Sequence, residues 1–290
     1  MLESIIINGL VTGGMYALLA VGFALVFGVA RIINMGHTAF YMAAAFLIYI
    51  FTSMLGLPIL VSAAIAIVVV TLLALGYFKA AIERVKQHEL AVLLITMAFA
   101  ILLQEILLVF FSADYRSIKP FFEGYMEIFG VRVTYQQLFA IGTSIACLVG
   151  LLLILTRTRI GIAIRAVSQD AEMTNALGIN DSFICFITMG ISAFLAALAA
   201  VIIAPINLVY PYMWSPPLVV ILAAVVLGGL GSITGSIVGA FILGFVEVIL
   251  VTLVPGGGFL RGVASLVAMI IVLIIKPEGL FGVVFEEERL

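Results

Sequence analysis

Residues 4–30 read SIIINGLVTGGMYALLAVGFALVFGVA, an apolar run without a single charged side chain. At 1.5 Å per residue it makes about 40 Å of helix, more than the roughly 30 Å of a bilayer's hydrocarbon core. The helix of a water-soluble domain would carry a polar face, whereas this run is apolar nearly all round, as a membrane span is. Eight more charge-poor windows follow, at about 39–56, 58–78, 90–112, 135–155, 183–206, 218–230, 234–254 and 262–275. The window at 218–230 is short and ends in Gly228-Gly229-Leu230-Gly231-Ser232, which makes it a half-helix candidate. Glycine-interrupted short segments of this kind often border transport pathways. Barrel strands alternate apolar and polar residues over about ten positions, and these windows do not. The expected fold class is all-α, a polytopic transmembrane helix bundle of about eight or nine apolar segments, some broken at glycine-rich breaks.

Composition agrees. Of 290 residues, 65% are hydrophobic and 10% charged, against about 25% charged in a soluble domain. So little polar sequence is left that one transmembrane domain over 1–290 is expected, with an outer loop at 113–134 and an inner loop at 156–181. The net charge of -2 supplies no basic field for nucleic acid. Cys147 and Cys185 lie inside apolar runs and read as small buried hydrophobes, not as a disulfide or metal framework. Met1-Leu2-Glu3 has no basic n-region, so the first segment is expected to stay as an anchor. With the N-terminus outside and nine crossings, the inside collects Arg31, Lys79, Arg84, Lys86, Arg157, Arg159, Arg165, Lys276 and Arg289. The outside keeps Arg116, Lys119, Arg132 and Arg261. The bias of Lys and Arg toward cytoplasmic loops favours that orientation, with the Glu286-Glu287-Glu288-Arg289 end cytoplasmic.

Polar residues inside the apolar runs mark candidate sites. Intramembrane acids are expensive and default to functional hypotheses; there are two, Glu105 beside Gln104, and Glu247. Asn34-Met35-Gly36-His37 interrupts the chain between the first two segments and reads either as a turn after Arg31 or as polar groups facing a cavity. Small residues at four-residue spacing let spans approach closely. Gly9, Gly13 and Ala17, then Ala20, Ala24 and Gly28, then Gly231, Gly235 and Gly239 follow that pattern, and packing is the expected role of most of them. Gly231 and Ser232 are also translocation-path candidates, with Asn34, His37, Glu105 and Glu247. In the inner loop Ser168 is the expected N-cap, Asp170 and Glu172 the acidic first turn and Gly178 the stop of a surface helix over 169–177. There is no phosphate-binding glycine loop with its lysine, no G-x-S-x-G elbow and no H-E-x-x-H helix. No catalysis, cofactor or metal site is therefore expected of this chain.

The inner loop, Gly161-Ile-Ala-Ile-Arg165-Ala166-Val-Ser-Gln-Asp170-Ala171-Glu172-Met-Thr-Asn-Ala-Leu-Gly178, resembles that of the permease subunit of branched-chain amino acid ABC importers. Three further stretches agree in order: the first segment through Asn34 and His37, Leu227-Gly-Gly-Leu-Gly-Ser232-Ile-Thr-Gly235, and Lys276-Pro277-Glu278-Gly279-Leu280-Phe281-Gly282. The Glu172 to Gly178 spacing also resembles the loop signature of many ABC importer permeases, with Met173 and Thr174 where alanines are usual. Thr38, Lys276 and Trp214 depart from the residues common in the family at those places.

The resemblance implies a permease that forms a translocation path with a second homologous permease and is driven by two separate ATP-binding subunits. An extracytoplasmic solute-binding protein would deliver a small-molecule substrate. Arg165, Ala166, Asp170, Ala171, Glu172 and Gly178 would form the contact with the ATPases, in a bacterial or archaeal inner membrane. Related permeases carry sugars, amides or urea. The alternative from the residues themselves is an ion-coupled carrier using Glu105 or Glu247 as a proton site.

Overall fold

The computed structural model describes residues 1–128, 130–254, 257–276 and 278–281. Pro277 and Gly282 of the C-terminal motif and the Glu286 to Arg289 end lie outside the described residues. Among the described residues, seven helices are long and apolar enough to cross a membrane: Leu2–Ala30, His37–Met54, Ile59–Val85, Glu89–Phe111, Tyr135–Arg157, Asp181–Ile203 and Ile233–Leu253. Two shorter apolar helices, Ser215–Gly228 and Gly262–Ile275, complete the expected set of about nine segments.

By element, the apolar helices are α1 (Leu2–Ala30), α2 (His37–Tyr49, prolonged by a π turn), α3 (Ile59–Tyr77, prolonged by a π turn into α4, Glu83–Val85) and α5 (Glu89–Phe111). They continue as α6 (Tyr135–Arg157), α9 (Asp181–Ile203), α10 (Ser215–Gly228), α11 (Ile233–Leu253) and α12 (Arg261–Ile275). Between α6 and α9 run α7 (Arg159–Gln169) and α8 (Ala171–Ala176). A hairpin of β1 (Tyr125–Ile128) and β2 (Val131–Thr134), paired antiparallel from Tyr125–Thr134 to Ile128–Val131, precedes α6.

α1 is the axis of the bundle, packed against α11, α9 and α6. Its glycines explain why. A Cβ on Gly9 would meet the Phe245 ring and one on Gly13 the Phe241 ring, while a Cβ on Gly244 would lie 2.6 Å from the Gly13 Cα. The α1–α11 crossing thus brings backbone to backbone, which in lipid is where packing attraction comes from. The same holds at α10–α11, where Cβ atoms on Gly235 and Gly239 would strike the carbonyls of Gly228 and Ala224. Ala20 and Ala24 are buried, whereas Gly28 faces open space.

The outer loop is more ordered than a loop reading implies. Besides the hairpin, Arg116 exchanges both backbone hydrogen bonds with Val209, at 2.8 Å each. Its guanidinium donates to the Phe111 carbonyl and Tyr49 Oη and pairs with Asp114. Thr134 and Gln137 close a reciprocal capping box that starts α6.

Candidate functional site

At the hairpin end, α1, α6, α11 and the segment after α9 enclose a cavity of about 210 Å³. Asn8, Thr12 and Tyr16 reach it from α1 at four-residue spacing, one face of a helix, with Gln137, Asn207, Glu247 and Thr252 from the other walls. Tyr16 and Glu247 are 5% and 3% exposed, and Tyr16 Oη donates to Glu247 Oε2 at 2.6 Å. Gln137 donates to Asn8 Oδ1 at 3.0 Å. Among the described lining residues the polar side chains are amides, hydroxyls and the Glu247 carboxyl. The remaining wall is aliphatic, including Val11, Met15, Ile203 and Val251. Such a mixture suits a small amphipathic solute, and the volume lies below the roughly 300–1,000 Å³ of drug-sized pockets.

Glu247 is the only one of the sequence-derived candidates in that cavity. Glu105 stands on the outer surface of α5, exposed, accepting from Gln104 at 3.1 Å. Asn34 and His37 are both 1% exposed but lie elsewhere, as cross-braces. His37 Nε2 is 3.0 Å from the Leu19 carbonyl of α1 and Nδ1 is 3.1 Å from Ser192 Oγ of α9. A carbonyl only accepts, so Nε2 carries the proton and Nδ1 takes the serine hydroxyl. Asn34 accepts from the Gly36 N–H and donates to Met189 Sδ. The turn is present, with the His37 N–H donating to the Asn34 carbonyl, and its polar side chains are buried as braces.

The glycine break between α10 and α11 is closed by protein. Gly231 has φ +85° and faces open space, and Ser232 caps α11 by accepting from the Gly235 N–H. The carbonyls of Leu227 and Gly228, left over at the end of α10, accept from the N–H groups of Leu280 and Phe281 at 2.8 and 3.0 Å. Backbone groups at membrane depth must be satisfied within protein or by a watery cavity. Here the C-terminal segment does it.

At the opposite end the inner loop is a helix, a cap and a second helix. Thr158 caps α7 through the Gly161 N–H, and Gly161, Ile164 and Val167 form its buried side. α7 runs on through Ser168, whose hydroxyl merely donates to the Arg165 carbonyl. The N-cap of the second helix is therefore Asp170, not Ser168, with Oδ1 accepting from the Met173 N–H at 2.9 Å. The expected helix over 169–177 shortens to α8, six residues. The physical reason is that the apolar period of Ile164 and Val167 carries α7 through Ser168 to Gln169, which leaves Asp170 as the capping side chain at the first free N–H groups of the next helix.

The stop is as expected. Gly178 has φ +89°; its N–H donates to the Asn175 carbonyl and that of Ile179 to the Thr174 carbonyl, the paired bonds of a Schellman motif. Arg165, Asp170, Glu172 and Gly178 are exposed, Ala166 and Ala171 half-buried. Asp170, Ala171 and Glu172 share a polar cavity with Arg31, Lys86 and Asp181. Sequence reading missed the ties beneath α8. Lys86 pairs with Asp181 at 3.1 Å, Ser182 Oγ donates to Glu83 Oε1, and Asn175 Oδ1 accepts from the Asp181 N–H. The signal was present only as charges at the ends of two distant spans.

Residues 5–275 match the family model described as branched-chain amino acid transport system / permease component. The high-affinity branched-chain amino acid transport system permease protein BraD of Pseudomonas aeruginosa is 31% identical, over 96% of this chain and 94% of that protein. The LivH permease protein of the corresponding system in Escherichia coli is 28% identical over 95% of this chain and 94% of its own length. Among solved structures, a chain of PsaBC from Streptococcus pneumoniae in complex with Fab superposes with TM-score 0.55 at 15% identity, covering 96% of this chain and 97% of that one, a likeness of fold. A match that runs nearly end to end, over a bundle of apolar helices with a capped surface rod, places the chain in the branched-chain amino acid transport permease family.

Proposed function

We propose that this chain is the permease subunit of an ABC importer that passes branched-chain or similar amino acids across a bacterial or archaeal inner membrane. It works with a second homologous permease, two ATP-binding subunits and an extracytoplasmic solute-binding protein. The observation that carries this reading is α8, a short rod fixed by an Asp170 cap and a Gly178 stop. It carries Met173 and, at its C-cap, Leu177, both exposed large apolar side chains, on the segment between α6 and α9. An apolar tip on a stiff helix is what a groove in a partner accepts, and a stiff contact transmits displacement where a flexible loop would absorb it. The polar cavity at the other end, with one carboxylate and aliphatic walls, is compatible with a zwitterion bearing a branched apolar side chain. The hairpin and outer loop at that end offer the surface for the binding protein. The N-terminus is outside in this arrangement.

Reconstituted vesicles test the reading. Import that requires the partner ATP-binding subunits and internal ATP supports it. Uptake without those subunits refutes it and favours the second reading, an ion-coupled carrier, which the burial of Glu247 against Tyr16 brings forward. Collapse of uptake by a protonophore with ATP still present would establish that alternative. Binding measurements on the cognate external protein identify the solute.

A further inference from the structure

Where α3, α6 and α9 meet, an apolar groove of about 550 Å³ opens. α6 lines it from Ala146 to Ile154 and α9 from Phe186 to Leu195, each with residues spaced along one helix face, and Leu75 enters from α3. Every described lining residue is apolar, the Cys147 thiol included. Two glycines shape it. Gly190 brings α9 up to Leu75, whose Cδ2 a Cβ there would meet at 3.2 Å, and Gly150 leaves space in which a Cβ would meet nothing within 4 Å.

The groove occupies one half of the membrane. Arg157 ends α6, which starts at Tyr135, and Lys79 lies on the helical run that starts at Ile59, so they stand about 33 and 30 Å along their helices. Both therefore reach the edge of a core roughly 30 Å thick, on the α8 side. Ile154 and Ala146 are about 5 and 16 Å back from Arg157. The lined stretch thus begins beneath the headgroups and stops near the midplane, the depth of a single acyl chain. A partner helix would cross the whole core and run on past Ala146.

The mouth is basic. Lys79 Nζ is 6.0 Å from the centroid of the Phe186 ring, which lines the groove. Arg157 follows Ile154 by three residues, a neighbour on the same face of α6. Both cations are exposed, and neither is in an ion pair among the described residues. The acids nearby are engaged elsewhere: Glu83, one turn on from Lys79, accepts from Ser182 Oγ, and Asp181 pairs with Lys86. Two cations at headgroup depth above a slot one leaflet deep match a phosphate with an acyl chain beneath it, and basic pockets between spans recognise anionic lipid headgroups. We propose that this groove binds one acyl chain of an anionic phospholipid from the leaflet on the α8 side, with Lys79 and Arg157 holding its phosphate. Such a site depends only on the chain spanning a bilayer, not on what it transports.

The test uses the full chain in phosphatidylcholine nanodiscs. They are doped at equal mole fraction with phosphatidylglycerol or phosphatidylcholine carrying the same diazirine-bearing acyl chain, and adducts are mapped by mass spectrometry after illumination. At 146–154 and 186–195 the phosphatidylglycerol probe should give at least fivefold more adducts than the phosphatidylcholine probe. Gly150→Leu, which fills the groove without a clash, should lower these adducts at least fivefold. Gly142→Leu, also in open space but about two turns nearer the other surface, should leave them unchanged. Lys79→Gln combined with Arg157→Gln should abolish the difference between the two probes. Equal labelling of the parental chain by both probes, a result that needs no variant to fold, would overturn the assignment. So would parental adducts in Gly150→Leu, or an unchanged probe preference in the double variant. If the adducts vanish when the whole importer is assembled, a protein subunit covers the groove and lipid is not its occupant.

Discussion

Gly178→Val isolates the backbone stop of α8 from every other effect. A Cβ added at Gly178 meets nothing within 4 Å, so no clash follows and the whole penalty is conformational. At φ +89° a non-glycine residue costs about 1–3 kcal/mol. A β-branched side chain belongs at the upper end, so about 2 kcal/mol is expected here. α8 has six residues, far below the length at which a helix is stable by itself, so its order depends on the Asp170 cap and the Gly178 stop. A shift of about 2 kcal/mol changes the ordered-to-disordered ratio by roughly thirtyfold. In reconstituted importer, ATP hydrolysed per solute imported should therefore rise several-fold, while the amount of chain in the membrane stays at the parental level. Gly178→Asn is the internal control, because asparagine tolerates the left-handed region and should recover most of the coupling. Parental coupling in Gly178→Val would refute the claim that this rod's order matters, and equal loss in both variants would refute the conformational explanation.

Other expectations follow from the same geometry. Asp170→Ala removes the cap bond to the Met173 N–H, worth about 0.5–2 kcal/mol, and should uncouple in the same assay to a smaller degree than Gly178→Val. Gly244→Leu drives a side chain into the Gly13 backbone; thermal unfolding of the purified subunit should fall by several degrees, whereas Gly76→Leu, in open space, should leave it unchanged. Tyr16→Phe deletes a donor to the buried Glu247 carboxylate, a contribution of about 1.5–3 kcal/mol. It should lower the unfolding temperature, and an unchanged temperature would show that the pair does not contribute. Lys119→Glu, at an exposed position, should weaken delivery at low salt and less at high salt. Arg116→Glu should impair import at every ionic strength, because that side chain clamps the loop to Phe111 and Tyr49.

Sequence alone determined the class of fold, because charge-free runs longer than a bilayer is thick leave helical spans as the economical way to satisfy the backbone. It also placed Gly178, since a helix stop is a local event that needs a residue free to adopt positive φ. The N-cap was less readable: Ser168 and Asp170 are both capping residues two positions apart, and the choice fell to Asp170 once Ile164 and Val167 had docked α7 along one face. What only tertiary structure decided is which way each polar residue faces. Glu105 and Glu247 are equivalent in sequence, single acids in the later half of apolar helices, and a helix apolar all round carries no internal signal of its inner side. Packing chose. α11 lies against the α1 axis through Gly13 and Gly244 and turns Glu247 onto Tyr16. α5 buries its Val92, Thr96 and Ala100 stripe and leaves Glu105 outside. In the same way Asn34 and His37 were visible as polar residues, but their role as braces depended on α1 and α9 arriving at hydrogen-bonding distance, a contact between residues 155 apart in the chain that no local pattern encodes.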